Sequence, residues 1–144
     1  MESGAVGAER CPLVVICDDT PQIRRLIRIN LELDGYEVEE AADGEAAIDL
    51  LERLDGLGRR PDLVLLDAAM EPRNGWWLLS TLRADPRWAS VPVVMVTASV
   101  QAHDRVQAED AGASAFLAKP FDPDDLLALV SQFAGRGGPT PAHP

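Results

Sequence analysis

Asp18, Asp19 and Asp67 carry carboxylates, Thr97 a hydroxyl and Lys119 an ammonium, and each closes a short apolar run or directly follows one. Carboxylate oxygens suit a hard divalent cation. A carboxylate can also attack phosphorus to give an aspartyl-phosphate, while a lysine and a hydroxyl hold the transferring oxygens. The runs are PLVVI before Cys17-Asp18-Asp19, LVLL before Asp67, VVMV before Thr97 and AFLA before Lys119-Pro120. Runs apolar on both faces are what a parallel strand needs when helices cover both sides of its sheet. In an open parallel sheet the crevice at the carboxyl edge is where ligands bind. All five residues are therefore expected on one rim.

The elements between these runs alternate with them. Thr20-Pro21 supplies an N-cap and a proline at the first helical position, and Ile23, Leu26, Ile27 and Leu31 recur at helical spacing until Asp34-Gly35. Tyr36 to Ala41 alternates as a strand on the edge side of the sheet. Ala47, Leu50, Leu51 and Leu54 mark a second helix, closed by the loop from Asp55 to Pro61. After the strand leading into Asp67, a helix from Gly75 to about Arg83 places Leu78, Leu79 and Leu82 on one face. A strand from Pro92 to Thr97, a helix over Ala102 to Ala111 ended by Gly112, and a strand from Ala115 to Ala118 follow. Asp122-Pro123-Asp124-Asp125 caps a last helix with Leu126, Leu127, Val130 and Phe133 facing inward. Five alternating strands and helices predict an α/β three-layer sandwich with a five-stranded parallel sheet, in the flavodoxin-like order 2-1-3-4-5.

That order sets strands one and three side by side, bringing Asp18, Asp19 and Asp67 within a few ångströms. Three carboxylates so close stay ionised near neutral pH only with positive charge among them. Mg²⁺ fits, since it prefers oxygen ligands and binds through carboxylates, waters and phosphate oxygens. Asp67 is the central candidate for nucleophile, with Lys119 pairing with a phosphate and Thr97 donating to it.

Composition excludes other classes. At 144 residues the chain suits one domain. Its 24 acidic residues against 13 Lys plus Arg give a net charge of −11, and no cluster of basic residues could track phosphates, so direct nucleic-acid binding is not expected. No apolar stretch approaches the roughly 18 residues of a membrane span, and MESGAVGAER lacks the regions of a signal peptide, which points to the cytoplasm. Cys11 and Cys17 on one extended segment would stand roughly 20 Å apart, too far for a disulfide. His103 and His143 have no metal-ligand spacing.

These marks resemble the receiver domain of bacterial two-component response regulators, nearest in size to the single-domain, chemotaxis-type members. The resemblance covers about Leu13 to Phe133 and rests on Asp18-Asp19, Asp67 within LVLLDAAM, Gly75 eight residues later, Thr97-Ala98 and Lys119-Pro120-Phe121, with offsets of 30 and 22 residues between Asp67, Thr97 and Lys119. It implies a receiver over 12–134; residues 1–11 are expected to form a flexible lead, and the tail over 135–144, with nothing to bury, to be disordered. It further implies that Asp18, Asp19, Asp67 and the backbone carbonyl of Ala69 hold Mg²⁺, and that Asp67 accepts the phosphoryl group. Thr97 and Phe116 take the switch positions, and the Lys119–Pro120 peptide is expected to be cis. The implied partners are a histidine kinase or phosphotransfer protein as donor and a downstream protein as target, with no turnover enzyme and no membrane insertion.

Two departures stand out. Glu71 follows Met70 where the family usually has proline, and Pro72 comes one place late. Ala69 and Ser99 occupy positions that often carry polar residues influencing hydrolysis. Two other functions fit parts of the pattern: a receiver-like adaptor that is not phosphorylated, and a phosphatase resembling the haloacid dehalogenase family. The latter wants an Asp-x-Asp pattern that Asp18-Asp19-Thr20 does not supply. Trp76 and Trp77 cannot both lie on the face set by Leu78, Leu79 and Leu82, so Trp77 is expected at the surface, available to a partner.

Overall fold

A computed structural model describes residues 11–70, 74–98 and 102–137, with 102–105 described by backbone alone. The strands are β1 (Leu13–Cys17), β2 (Glu37–Ala41), β3 (Leu63–Leu66), β4 (Val93–Thr97) and β5 (Ala115–Ala118). The helices are α1 (Pro21–Leu33), α2 (Gly44–Gly56), α3 (Gly75–Ala84), α4 (Ala102–Asp110) and α5 (Pro123–Ala134). They form one parallel sheet in the order β2-β1-β3-β4-β5, as the alternation of runs predicts.

Pleating sends successive side chains to opposite faces, and each central strand divides its apolar residues accordingly. Leu13, Val15 and Cys17 of β1, Val64 and Leu66 of β3, and Val93 and Met95 of β4 pack under α2 and α3 with Leu50, Leu51, Leu54, Leu78, Leu79 and Leu82. Val14, Ile16, Leu63, Leu65, Val94 and Val96 point the other way, against Ile27 and Leu31 of α1 and Leu126 and Val130 of α5. A continuous apolar strand is thus the middle of three layers, and its polar end residues are left at the sheet edge.

Boundaries differ from the sequence reading by a residue. Pro92 stays outside β4, having no N–H to give, and contributes only its carbonyl to Val64. Thr20 is the N-cap residue of α1 with Pro21 behind it, yet its side chain makes no capping bond; its hydroxyl lies 3.4 Å from Oδ1 of Asp19. Neither Trp76 nor Trp77 is fully exposed: both are half-buried against the core under α2 and α3, which corrects the expectation of a surface Trp77.

The chain beyond α5 stays close for three residues. The Tyr36 hydroxyl donates to the Gly135 carbonyl at 2.5 Å, and Gly137 lies so near Asp34 that a Cβ there would stand 1.8 Å from the Asp34 carbonyl oxygen. The expectation of a tail free from Gly135 onward is narrowed accordingly. Residues 1–10 and 138–144, Glu71, Pro72, Ser99 and both histidine side chains lie outside the described residues.

Candidate functional site

Each of the five positions stands where a strand gives out. Asp18 continues β1 by one amide, which donates to Ala41 O at 3.1 Å, and Asp67 continues β3, its amide donating to Cys17 O at 2.9 Å. Thr97 is the last residue of β4, and its carbonyl accepts from the Lys119 amide at 2.8 Å just past β5. Parallel register does the rest, because neighbouring strands that end together deliver their next residues to one rim.

The buried carboxylates of Asp18 and Asp67 are held alike. One oxygen of each accepts from the amide two residues on, Thr20 N to Asp18 Oδ1 at 2.8 Å and Ala69 N to Asp67 Oδ1 at 3.0 Å. These are the short side-chain loops that aspartates favour at turns. The other oxygen of each faces Lys119, whose Nζ donates to Asp18 Oδ2 at 2.7 Å and to Asp67 Oδ2 at 3.1 Å. Asp18 is 2% and Asp67 5% exposed, so this ammonium neutralises carboxylates that water hardly reaches. Burial draws the lysine pKa down, but the bonds and charges of Asp18 and Asp67 outweigh it and hold the ammonium above its ordinary value.

Asp19 is exposed beside them. One ligand oxygen from each of Asp18, Asp19 and Asp67 lies within 4.8 Å of the other two. Opposite ligands of an octahedral ion at about 2.1 Å are roughly 4 Å apart, so three hard oxygens gathered this closely suit Mg²⁺. Ala69 is exposed on the same loop, with its amide tied to Asp67.

Behind Asp67 the packing leaves no room. A Cβ on Gly75 would lie 2.4 Å from Asp67 O, 2.6 Å from Leu66 Cδ1 and 2.9 Å from Ala68 Cα. Glycine there lets α3 begin directly against the loop that carries Asp67. The Lys119–Pro120 peptide is cis. Phe116 is half-buried in β5, in register with Met95, and packs toward the α2 and α3 side. Cys17, next to Asp18, is buried; burial first, then the charges of Asp18 and Asp43, push its thiol up to about 12, so it is an inert core residue.

One contact was not legible in the sequence. Arg24 Nη1 donates to the Asp18 carbonyl at 2.6 Å, and Arg24 Nε to Glu40 Oε1 at 3.0 Å. The signal that could have found it is a pair of arginines in the first turns of a helix leaving an acidic loop, where a cation opposes the helix dipole.

The model of the response regulator receiver domain matches residues 14–131, and the chain belongs to that family. It is 40% identical over 125 residues to the DNA-binding dual master transcriptional regulator RpaA of Synechocystis sp., a match covering 87% of this chain and 50% of RpaA. The chain spans about half the length of the curated relatives it matches. It superposes on the Vibrio cholerae chemotaxis protein CheY4 with a TM-score of 0.77 at 28% identity, over 86% of this chain and 99% of CheY4. It also superposes on the receiver domain of the sensor histidine kinase PA1611 from Pseudomonas aeruginosa PAO1, with a TM-score of 0.76 at 28% identity over 88% of this chain and 99% of that one. The PA1611 structure has a magnesium ion coordinated in its active site cleft. Membership of this family sets aside the haloacid-dehalogenase-like phosphatase. Among the described residues no helix is long and apolar enough to cross a membrane.

Proposed function

We propose that this chain is a phosphorylation-driven switch that accepts a phosphoryl group on Asp67 from a histidine kinase or phosphotransfer protein and passes the signal through a changed protein-binding surface. The observation that carries this reading is the single ammonium of Lys119 shared by the buried carboxylates of Asp18 and Asp67, with Asp19 beside them. In the reaction an Asp67 oxygen attacks phosphorus. The O–P bond forms as the N–P bond of a phosphohistidine breaks, and the imidazole leaves with the electron pair and takes a proton from solvent. Asp18, Asp19, Asp67 and the Ala69 carbonyl would hold Mg²⁺, which supplies charge neutralisation on the transferring oxygens when bound. Lys119 turns from carboxylate to phosphate, and Thr97 donates its hydroxyl.

Output then follows from attachment. Thr97 closes β4 and Lys119 follows β5, so their movement toward a phosphate pulls on α4, the strand holding Phe116, and α5. RpaA is described as DNA-binding, and this chain matches half of it; with a net charge of −11 and no basic stripe, we assign the output here to a protein partner. The phosphorylation-independent adaptor is the competing reading.

The test is incubation with acetyl phosphate and Mg²⁺ followed by intact-mass measurement. Wild type should gain one phosphoryl group; Asp67→Ala, or wild type in EDTA, should gain none. Labelling of Asp67→Ala would overturn the assignment, and an unlabelled wild type would favour the adaptor. With beryllofluoride, chemical-shift changes should spread to α4, β5 and α5, and changes confined to the acidic rim would count against a switch.

A further inference from the structure

Asp18 lies one residue past the end of β1, where its amide still finds a strand carbonyl but, among the described residues, its own carbonyl accepts from no strand amide. A buried carbonyl without a donor is costly, and here the donor is a side chain. Arg24 Nη1 reaches the Asp18 carbonyl at 2.6 Å. The same guanidinium donates through Nε to Glu40 Oε1 at 3.0 Å, and Glu40 stands on β2 in register with Ile16, two residues before Asp18. The second oxygen of Glu40 is held by Arg28, which also donates to the Val38 carbonyl at 3.0 Å and to Glu32 at 3.1 Å.

This chain of bonds differs from an ordinary surface ion pair in three ways. The Arg24 and Glu40 side chains are only 18% and 25% exposed. The guanidinium bonds the main chain of a site residue as well as a carboxylate. Its place in the first turns of α1, which carries no acidic residue in its first turn, is unfavourable to the helix itself, because a cation there opposes the dipole. Helix stability does not account for it. Burial works against the Glu40 carboxylate, but the bonds of Arg28 and Arg24 outweigh that and keep it below its ordinary range, so the tether stays charged.

We propose that Arg24 is a positioning residue for the acidic rim: braced by Glu40, its planar fork fixes the Asp18 carbonyl and so the direction in which the Asp18 and Asp19 carboxylates present themselves to a divalent cation. Planarity is needed because one group must satisfy two acceptors at a fixed angle, which an ammonium on a flexible stem does not do. The inference rests on the reading of Asp18, Asp19 and Asp67 as an Mg²⁺ site and adds to it a residue that touches no ligand.

The experiment is Mg²⁺ titration by isothermal calorimetry, with melting temperatures measured alongside. Groups that orient metal ligands are worth about 10–100-fold in metal affinity, so Arg24→Met should weaken Mg²⁺ binding by about tenfold. Glu40→Gln should weaken it less, and the double variant no more than Arg24→Met alone, because both act through one contact. Arg24→Lys keeps the charge but not the fork and should also bind more weakly; it keeps the test readable if Arg24→Met folds poorly. The control is Arg83→Met, which removes a guanidinium bonded to the carbonyls of Gly112, Ala89 and Val91 away from the rim, and should lower the melting temperature with Mg²⁺ affinity unchanged. Unchanged Mg²⁺ affinity in both Arg24 variants, or an equal loss in Arg83→Met, would overturn the inference while leaving the metal site intact. Absence of binding by the wild type would overturn the metal site and this inference with it.

Discussion

The Lys119 ammonium lies 2.7 Å from Oδ2 of Asp18, a residue 101 positions away in sequence, and 3.1 Å from Oδ2 of Asp67. One cation thus stands between two buried carboxylates, in the space where the proposed metal and phosphate would meet. Lys119→Met should destabilise the protein by about 1–3 kcal/mol without divalent ions, since both acids lose their partner. Saturating Mg²⁺ should restore most of the melting temperature in the variant by binding only the folded state. Phosphoryl labelling should nonetheless fall. The pKa of Lys119 is raised in the fold, so its contribution is complete below the unfolded value of about 10.4 and is lost as pH rises through the folded one. Thermal melts with and without Mg²⁺ check these outcomes.

Gly75 backs directly onto the Asp67 main chain, with a Cβ position 2.4 Å from its carbonyl oxygen. Gly75→Ala must move either α3 or the loop bearing Asp67. The expected loss is about 1–3 kcal/mol, as for other overpacked sites, together with slower labelling by acetyl phosphate. At Gly56 nothing lies within 4 Å of an added carbon, so Gly56→Ala has no neighbour to displace and should label at the wild-type rate.

Cys17 is buried with its thiol pushed up to about 12, whereas Cys11 is partly exposed. A thiol reagent near pH 8 should modify Cys11 promptly and Cys17 only on unfolding. The unfolded chain ionises Cys17 near pH 8.5, while the fold keeps its proton, so this group makes the native state progressively less favoured as pH rises above about 8.5. Denaturant titrations of wild type and Cys17→Ala across that range should diverge in slope.

Ala69 presents only a methyl group at the rim, and Ser99 carries a short hydroxyl. Hydrolysis of an aspartyl-phosphate needs a water aligned behind phosphorus, which a longer polar side chain can orient. Ala69→Asn with Ser99→Glu should shorten the phosphorylated lifetime several-fold or more, each 1.4 kcal/mol of barrier being about a factor of ten. The decay of labelled protein after removal of acetyl phosphate measures this directly, and unchanged decay would show that these positions do not set the lifetime.

The sequence by itself determined the layers and the rim. Runs such as LVLL and VVMV can be satisfied only between two covering layers, and the strands' right-handed crossovers leave few ways to order them, so Asp18, Asp67, Thr97 and Lys119 had to meet at one edge. Only the tertiary structure decided which atoms bond there. Lys119 divides itself between Asp18 and Asp67, Arg24 takes the Asp18 carbonyl, and Gly135 reaches Tyr36. The half-burial of both Trp76 and Trp77 belongs with these, since it depends on what stands beside α3 rather than on spacing within it. The physical reason is one of range. Periodicity records which face of an element is buried, because pleat and helix repeat within a few residues. Long polar side chains choose partners by the distances that remain after the layers have packed, and no local pattern encodes those distances.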